Sequence, residues 1–242
     1  MGYSLSMSDA NISRLAAQGD SSSQFALGLR YFEGKSIPRD LSQAAYWFKK
    51  AAERGHARAQ YNLGTFYGTG QGVAKDPSLA FYWYKKAAEQ GSYSAQYNVG
   101  ASYNEGFGVA KDRAQAIWWF RKSAEQGCAD AQFNLGQGYY HGDGLKSDYA
   151  QAVFWWRKAA DQGDAAAQYH MGFCHLNGHG ASKDEIEAYA YFNLASVHNE
   201  KARQTLQVLH DHFSPSVRLR AQQRTRQLRR EIDTVIKAKK VR

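Results

Sequence analysis

One spacing governs this chain. The segment Gln-Tyr-Asn-Leu-Gly at 60–64 returns 36 residues later as Gln-Tyr-Asn-Val-Gly at 96–100, and again as Gln-Phe-Asn-Leu-Gly at 132–136. Weaker copies stand at 24–28 and 168–172. The same step links Gly19, Gly55, Gly91, Gly127 and Gly163, and also Asp40, Asp76, Asp112, Asp148 and Asp184. Trp47, Trp83, Trp119 and Trp155 follow it too, with Tyr191 in the fifth place. A fixed period of this length is the signature of one supersecondary unit repeated along an array. Five copies fill residues 19–198, leaving an N-terminal segment at 1–18 and a C-terminal region at 199–242.

Each unit reads as two helices. Ala59, Leu63 and Tyr67 place one apolar stripe on a first helix. The glycine that follows (Gly64, Gly100, Gly136, Gly172) costs about 1 kcal/mol of helix propensity against alanine. Its return in successive units implies close backbone packing on a neighbouring helix. Gly70 and Gly72, copied up to Gly178 and Gly180, supply positive-φ positions that break the chain. Asp then caps the second helix, with Gln or Glu three residues on in four units (Asp40/Gln43, Asp112/Gln115, Asp148/Gln151, Asp184/Glu187). Asp76 is followed by Pro77, suited to a first helical position. Ala80, Trp83, Tyr84, Ala87 and Ala88 give the second helix its buried face, and Gly91 ends it. A helical pair this small cannot bury both faces alone, so the expected fold is all-α: an α-solenoid of stacked repeats.

The unit Ala59, Tyr61, Asn62, Leu63, Gly64, Tyr67, Gly70, Gly72, Val73, Asp76, Ala80, Trp83, Tyr84, Lys86, Ala87, Ala88 and Gly91 resembles the Sel-1-like repeat, a relative of the tetratricopeptide repeat. That resemblance covers about three-quarters of the chain. It implies a right-handed superhelix whose first helices line a concave protein-binding surface, in adaptors and scaffolds of bacteria and of eukaryotic quality control. One cysteine-rich secreted branch of the family is linked to penicillin binding and β-lactam hydrolysis. Its members carry a cysteine pair per repeat, which this chain lacks, so the activity is not carried over.

Positions that differ between copies are free to meet a partner. On the first helix of the second unit these are Arg58, Thr65, Phe66 and Thr69, with Asn62 completing the spacing as a stripe opposite the core. Asn62, Asn98 and Asn134 form a row along it, ended by Ala26 and His170, and Gln137 and His141 belong to the same set. A carboxamide both donates and accepts, so the row suits the backbone of an extended peptide. The bland alternative is that the asparagines bond a neighbouring loop. On the second helices three aromatics stand in succession, as in Tyr82-Trp83-Tyr84 and Phe154-Trp155-Trp156. Three residues sweep about 200°, so the outermost, at 46, 82, 118 and 154, either form an exposed strip or fill gaps between repeats; gap filling is the expectation, because large aromatics dominate packed interfaces.

Other chemistry is thin. The GxG loops lack the strand context and full motif of a phosphate loop and read as turns. His170, Cys174, His175 and His179 are the one metal-like cluster, but it runs from a helix into a turn, and coincidence is the expectation. No nucleophile, base and orienter arrangement is legible, so neither catalysis nor a cofactor is expected. Two cysteines, Cys128 and Cys174, fit a reducing compartment. No apolar run approaches the length of a spanning helix, and Met1 to Gln18 has no secretory core segment, so a cytoplasmic chain is expected. Met1-Gly2 through Ser6 fits an N-myristoylation pattern too loosely to use.

Charge is concentrated at the end. Residues 198–242 hold 12 of the 31 Lys and Arg but 4 of the 22 Asp and Glu. Ala202, Leu206, Leu209 and Phe213 suggest a helix closing the last repeat. Ser214-Pro215 then opens another, with Val217, Ala221, Leu228, Ile232 and Val235/Ile236 as its apolar stripe. Arg218, Arg220, Arg224, Arg226, Arg229, Arg230, Lys237, Lys239 and Lys240 cover the rest. The leading expectation is a cap docked on the repeats with a solvated basic face. Self-pairing or gripping a partner helix, and contact with nucleic acid or an anionic membrane, are the alternatives. The sequence thus points to a non-enzymatic scaffold that binds a protein or peptide, with docking on nucleic acid or an anionic surface as the second reading.

Overall fold

The computed structural model describes residues 8–240, without the side chain of Lys240; the myristoylation-like pattern at residues 1–6 lies outside it. Among the described residues every regular element is a helix. They group into two compact units that divide between Asp112 and Arg113. The first contains α1 (Asp9–Ala17), α2 (Ser21–Glu33), α3 (Leu41–Glu53), α4 (Ala57–Thr69), α5 (Pro77–Glu89) and α6 (Tyr93–Glu105). The second contains α7 (Arg113–Glu125), α8 (Ala129–His141), α9 (Tyr149–Ala160), α10 (Ala165–Asn177), α11 (Glu185–Ala195), α12 (Glu200–Leu209) and α13 (Pro215–Lys240). Within each unit, consecutive helices from α1 to α6 and from α7 to α12 pack on one another, and α13 packs on α11.

Local chemistry sets the boundaries. The carboxylates of Asp40, Asp76 and Asp148 accept from the N–H groups of Gln43, Leu79 and Gln151 at 2.9–3.0 Å, and Asp184 accepts from Ile186 and Glu187. Each first helix ends on a left-handed glycine: Gly34, Gly70, Gly106, Gly142 and Gly178. The second glycine, present in the four later loops, has a tertiary reason as well. A Cβ on Gly72 would sit 2.1 Å from the carbonyl oxygen of Leu41, and one on Gly108 only 1.9 Å from that of Pro77. The loop therefore touches the backbone at the start of the preceding second helix.

The core follows the repeat. Ala59, Leu63 and Phe66 of α4 are buried, with Ala80, Tyr84, Ala87 and Ala88 of α5. The helix glycine is where an aromatic of the following second helix presses on backbone: Phe48 on Gly28, Tyr84 on Gly64, Trp156 on Gly136, Phe192 on Gly172, each 2.5–2.7 Å from where a Cβ would stand. The expected gap filling by the first aromatic is overturned. Tyr46, Tyr82, Trp118 and Phe154 are close to half exposed, because the third aromatic takes the buried side and turns the first outward.

Two features were not read from sequence. Gln24, Gln60, Gln96, Gln132 and Gln168 are buried, and each donates Nε2 to a carbonyl near the end of the preceding helix: Ala16, Ala52, Ala88, Ala124 and Ala160, at 3.0–3.3 Å. Each of these carbonyls also accepts from the glycine N–H three residues on, so the glutamine supplies its second bond. The same bond makes α1 the equivalent of a second helix ahead of the first repeat, with Ile12 and Ala16 buried beside Leu27. Ala16 and Gly19 stand 36 residues before Ala52 and Gly55, a signal that the sequence does contain.

Candidate functional site

On the first-helix face of the N-terminal unit, Arg58 is exposed and Asn62 and Asn98 are half-buried. The Arg58 guanidinium lies 5.2 Å from the Phe25 ring centroid. Among the described residues neither the Asn62 nor the Asn98 carboxamide has a hydrogen-bond partner. Phe66 departs from the expected stripe: it is 3% exposed and packs edge-on against Phe48 at 5.3 Å. The buried face runs i, i+4, i+7 through Ala59, Leu63 and Phe66, and Tyr67 takes the half-buried flank.

In the C-terminal unit the same positions are more engaged. Asn134 Nδ2 donates to its own helix at the Asp130 carbonyl, 2.8 Å away, and Gln137 Oε1 meets His141 Nε2 at 3.2 Å. His170 stacks on Trp156 at 4.6 Å, and burial pushes its imidazole down to about 4. The unfolded chain therefore takes a proton near the ordinary value of 6.5 while the folded chain resists it until about 4. The stabilising difference is complete above 6.5 and is lost as pH falls through that window. The melting temperature should drop between pH 6.5 and 4, and His170→Asn should flatten that part of the profile; an unchanged slope in the variant would refute the assignment. Beyond His170, a cavity of about 390 Å³ opens between α10 and α12, walled by Tyr169, Phe173, Leu176 and Val208 with Lys201 at the rim.

The four residues of the metal-like cluster face different partners. His170 has Trp156, His175 Nδ1 lies 3.1 Å from the Ser182 carbonyl, and His179 stacks on Tyr149 at 5.1 Å. Cys174 is buried, which drives its thiol up to about 12. Among the described residues no three His, Cys, Asp or Glu side chains gather around one point.

The outward aromatics carry a repeated cation. Lys50 stands over Tyr46, Lys86 over Tyr82, Lys122 over Trp118 and Lys158 over Phe154, at 4.0–5.8 Å from ring centroid to ammonium. Each pair is an i, i+4 contact that shields a ring from water.

The C-terminal helix is docked. Ala221, Thr225, Leu228 and Ile232 of α13 are buried, and Arg224 pairs with Glu187 of α11 at 2.6 Å. Lys239 donates to the Gly127 carbonyl at 3.2 Å and also meets Gln162. The apolar stripe is thus used within the chain. Arg220, Arg226, Arg229, Arg230 and Lys237 remain exposed, while Arg218 is half-buried against His210. The side chain of Lys240 lies outside the described residues. Among the described residues no helix is long and apolar enough to cross a membrane.

Comparison with known proteins agrees with this geometry. The Sel1 repeat model matches residues 21–56, 57–92, 94–128, 129–164 and 165–196. A protective antigen of uropathogenic Escherichia coli with an SLR fold is 36% identical with a TM-score of 0.79, over 84% of this chain and 44% of that one. The chain thus spans less than half the length of that antigen. A Sel1 repeat protein from Oxalobacter formigenes is 33% identical with a TM-score of 0.73, over 80% of this chain and 77% of the other. No curated protein matches. By its five repeats and by these structural relatives, the chain belongs to the Sel1 repeat family.

Proposed function

We propose that the chain is a non-enzymatic protein–protein interaction scaffold that holds an extended peptide segment on its first-helix face. One observation carries this reading: Asn62 and Asn98 occupy equivalent places on α4 and α6, with carboxamides that no described residue engages. Such groups can donate to and accept from a peptide backbone. Variable neighbours such as Arg58 would then read side chains. Within the C-terminal unit the equivalent first-helix positions are Asn134, Gln137, His141 and His170, and the cavity beside Phe173 there suits an apolar side chain.

The test is an Asn62→Ala/Asn98→Ala double variant titrated with the partner recovered by native pull-down. Losing two peptide hydrogen bonds of about 1 kcal/mol each weakens binding by roughly tenfold or more. Thermal stability should stay within a degree or two, because neither carboxamide supports the fold. Unchanged affinity would sink the reading.

A second reading rests on the outer face of α13, where Arg220, Arg226, Arg229, Arg230 and Lys237 are exposed and Glu231 is already engaged by Arg224 and Gln227. That face would dock on a polyanion. Salt separates the two in the same titration, since phosphate contacts weaken steeply with ionic strength and peptide-backbone contacts do not.

A further inference from the structure

The first repeat breaks a polar relay that two later repeats keep. Gln60 Oε1 accepts from Gln90 Nε2 at 2.7 Å, and Gln132 Oε1 accepts from Gln162 Nε2 at 2.6 Å. The residue 36 places before Gln90 is Arg54. Gln24 still donates Nε2 to the Ala16 carbonyl at 3.1 Å, yet its Oε1 is buried and has no partner among the described residues. The residue as a whole is 4% exposed. A buried acceptor left unmade forfeits its hydration without recompense, so this atom wants a donor.

Gln24 lines a cavity of about 410 Å³, with Tyr46, Trp47, Lys50, Arg54 and residues 16–19 as its other walls. Trp47 meets Tyr46 edge-on at 5.1 Å. The Arg54 guanidinium lies along Gly19, 3.0 Å from where a Cβ would be, and makes no ion pair or hydrogen bond among the described residues. Acids close in sequence are committed elsewhere: Asp20 caps Ser23 at 2.7 Å, and Glu53 faces Lys49 at 4.0 Å. The carbonyls ending α1 are also taken, Arg14 by Gln18, Leu15 by Asp20, and Ala16 by Gly19 and Gln24. The cavity thus offers two cations that no carboxylate among the described residues pairs, Lys50 (over the Tyr46 ring) and Arg54, with one orphaned acceptor and an aromatic wall.

We infer that this cavity binds a peptide C-terminus. The terminal carboxylate lies between Lys50 and Arg54, the N–H of the terminal residue donates to Gln24 Oε1, and its side chain rests on Trp47. An N–H donor adjacent to a carboxylate, with an apolar group between them, matches all three features at once, whereas a bare anion leaves Gln24 unpaired. The site is separate from the first-helix stripe of Asn62 and Asn98 and does not depend on that reading.

The experiment is an NMR titration of the full chain with acetyl-Ala-Ala-Phe, following the Gln24 carboxamide and the Trp47 indole. Saturable shifts at both are expected, with a dissociation constant of roughly 0.1–1 mM. The same peptide ending in a carboxamide should bind at least about tenfold more weakly, since charge-assisted contacts are lost. Arg54→Gln restores the residue type of Gln90 and Gln162, so its carboxamide should donate to Gln24 as theirs do to Gln60 and Gln132. That variant is expected to melt at or above wild type while losing at least about tenfold in affinity. No saturable shift in wild type, equal binding of the amide, or full affinity in Arg54→Gln would each overturn the proposal. The amide comparison uses the unaltered protein and so stands whether or not the variant folds.

Discussion

Trp156→Ala should lower the unfolding free energy by about 3–5 kcal/mol, while Trp118→Ala should cost less than about 1 kcal/mol. The two tryptophans sit on successive second helices and differ in what they meet. Trp156 is 0% exposed, and its ring edge lies 2.5 Å from where a Cβ on Gly136 would stand, so the indole fills the space that the missing methyl leaves. Its Nε1 donates to the Phe133 carbonyl at 3.1 Å, and His170 and Tyr140 pack on the ring at 4.6 and 5.3 Å. Truncation removes that apolar burial, opens a cavity in the middle of the unit and takes away one hydrogen bond. Against a typical total of about 5–15 kcal/mol, this is a large share. Trp118 is 46% exposed and meets mainly Trp119 and the Lys122 ammonium. Urea denaturation of both variants decides the matter. Equal losses would mean that the first aromatic of the triplet, and not the third alone, belongs to the core.

Why the triplets misled is instructive. Three neighbouring aromatics cover too wide an arc to rank by periodicity, and the deciding partner, Gly136, lies 20 residues away on another helix. What was legible is what is local. Asp40, Asp76, Asp148 and Asp184 cap the helices their positions imply, and the paired glycines take positive φ. The helix glycine was legible as a sign of close packing, but not the identity of the ring against it. Phe66 was misplaced because an i+7 and an i+8 position are neighbours on a helix, and only packing on Phe48 separates them. Residues 1–18 read as an unassigned segment, since α1 keeps little of the repeat beyond Ala16 and Gly19. For the basic helix, the pattern of Ala221, Leu228 and Ile232 announced an apolar stripe and left its seat open, because several partners would fit. The missing donor to Gln24, where Arg54 stands in place of a glutamine, was beyond sequence altogether: it is an absence, visible only once Gln60 and Gln132 are seen to have donors.

Gly108→Ala should cost about 3–4 kcal/mol, and Gly91→Ala only about 1–2 kcal/mol. Both glycines hold a left-handed φ, +71° and +93°, so both variants carry the conformational penalty of a side chain there. They differ in surroundings. A Cβ on Gly91 would meet nothing within 4 Å, whereas one on Gly108 would fall 1.9 Å from the Pro77 carbonyl oxygen and 2.4 Å from its carbon. Those are backbone atoms of the first turn of α5, held by the Asp76 cap at Leu79, and cannot rotate away as a side chain would. The loop after α6 must therefore lift from α5, and this contact couples one repeat to the next. Because array stability is the sum of repeat and nearest-neighbour terms, the loss should appear as a lower denaturation midpoint and as faster amide exchange at Phe107 and Asp112, whose N–H groups bond Ser102 and Tyr103. Equal costs at the two glycines would show that the approach to Pro77 is compliant, and that the second glycine of such a loop is kept for its dihedral angle alone.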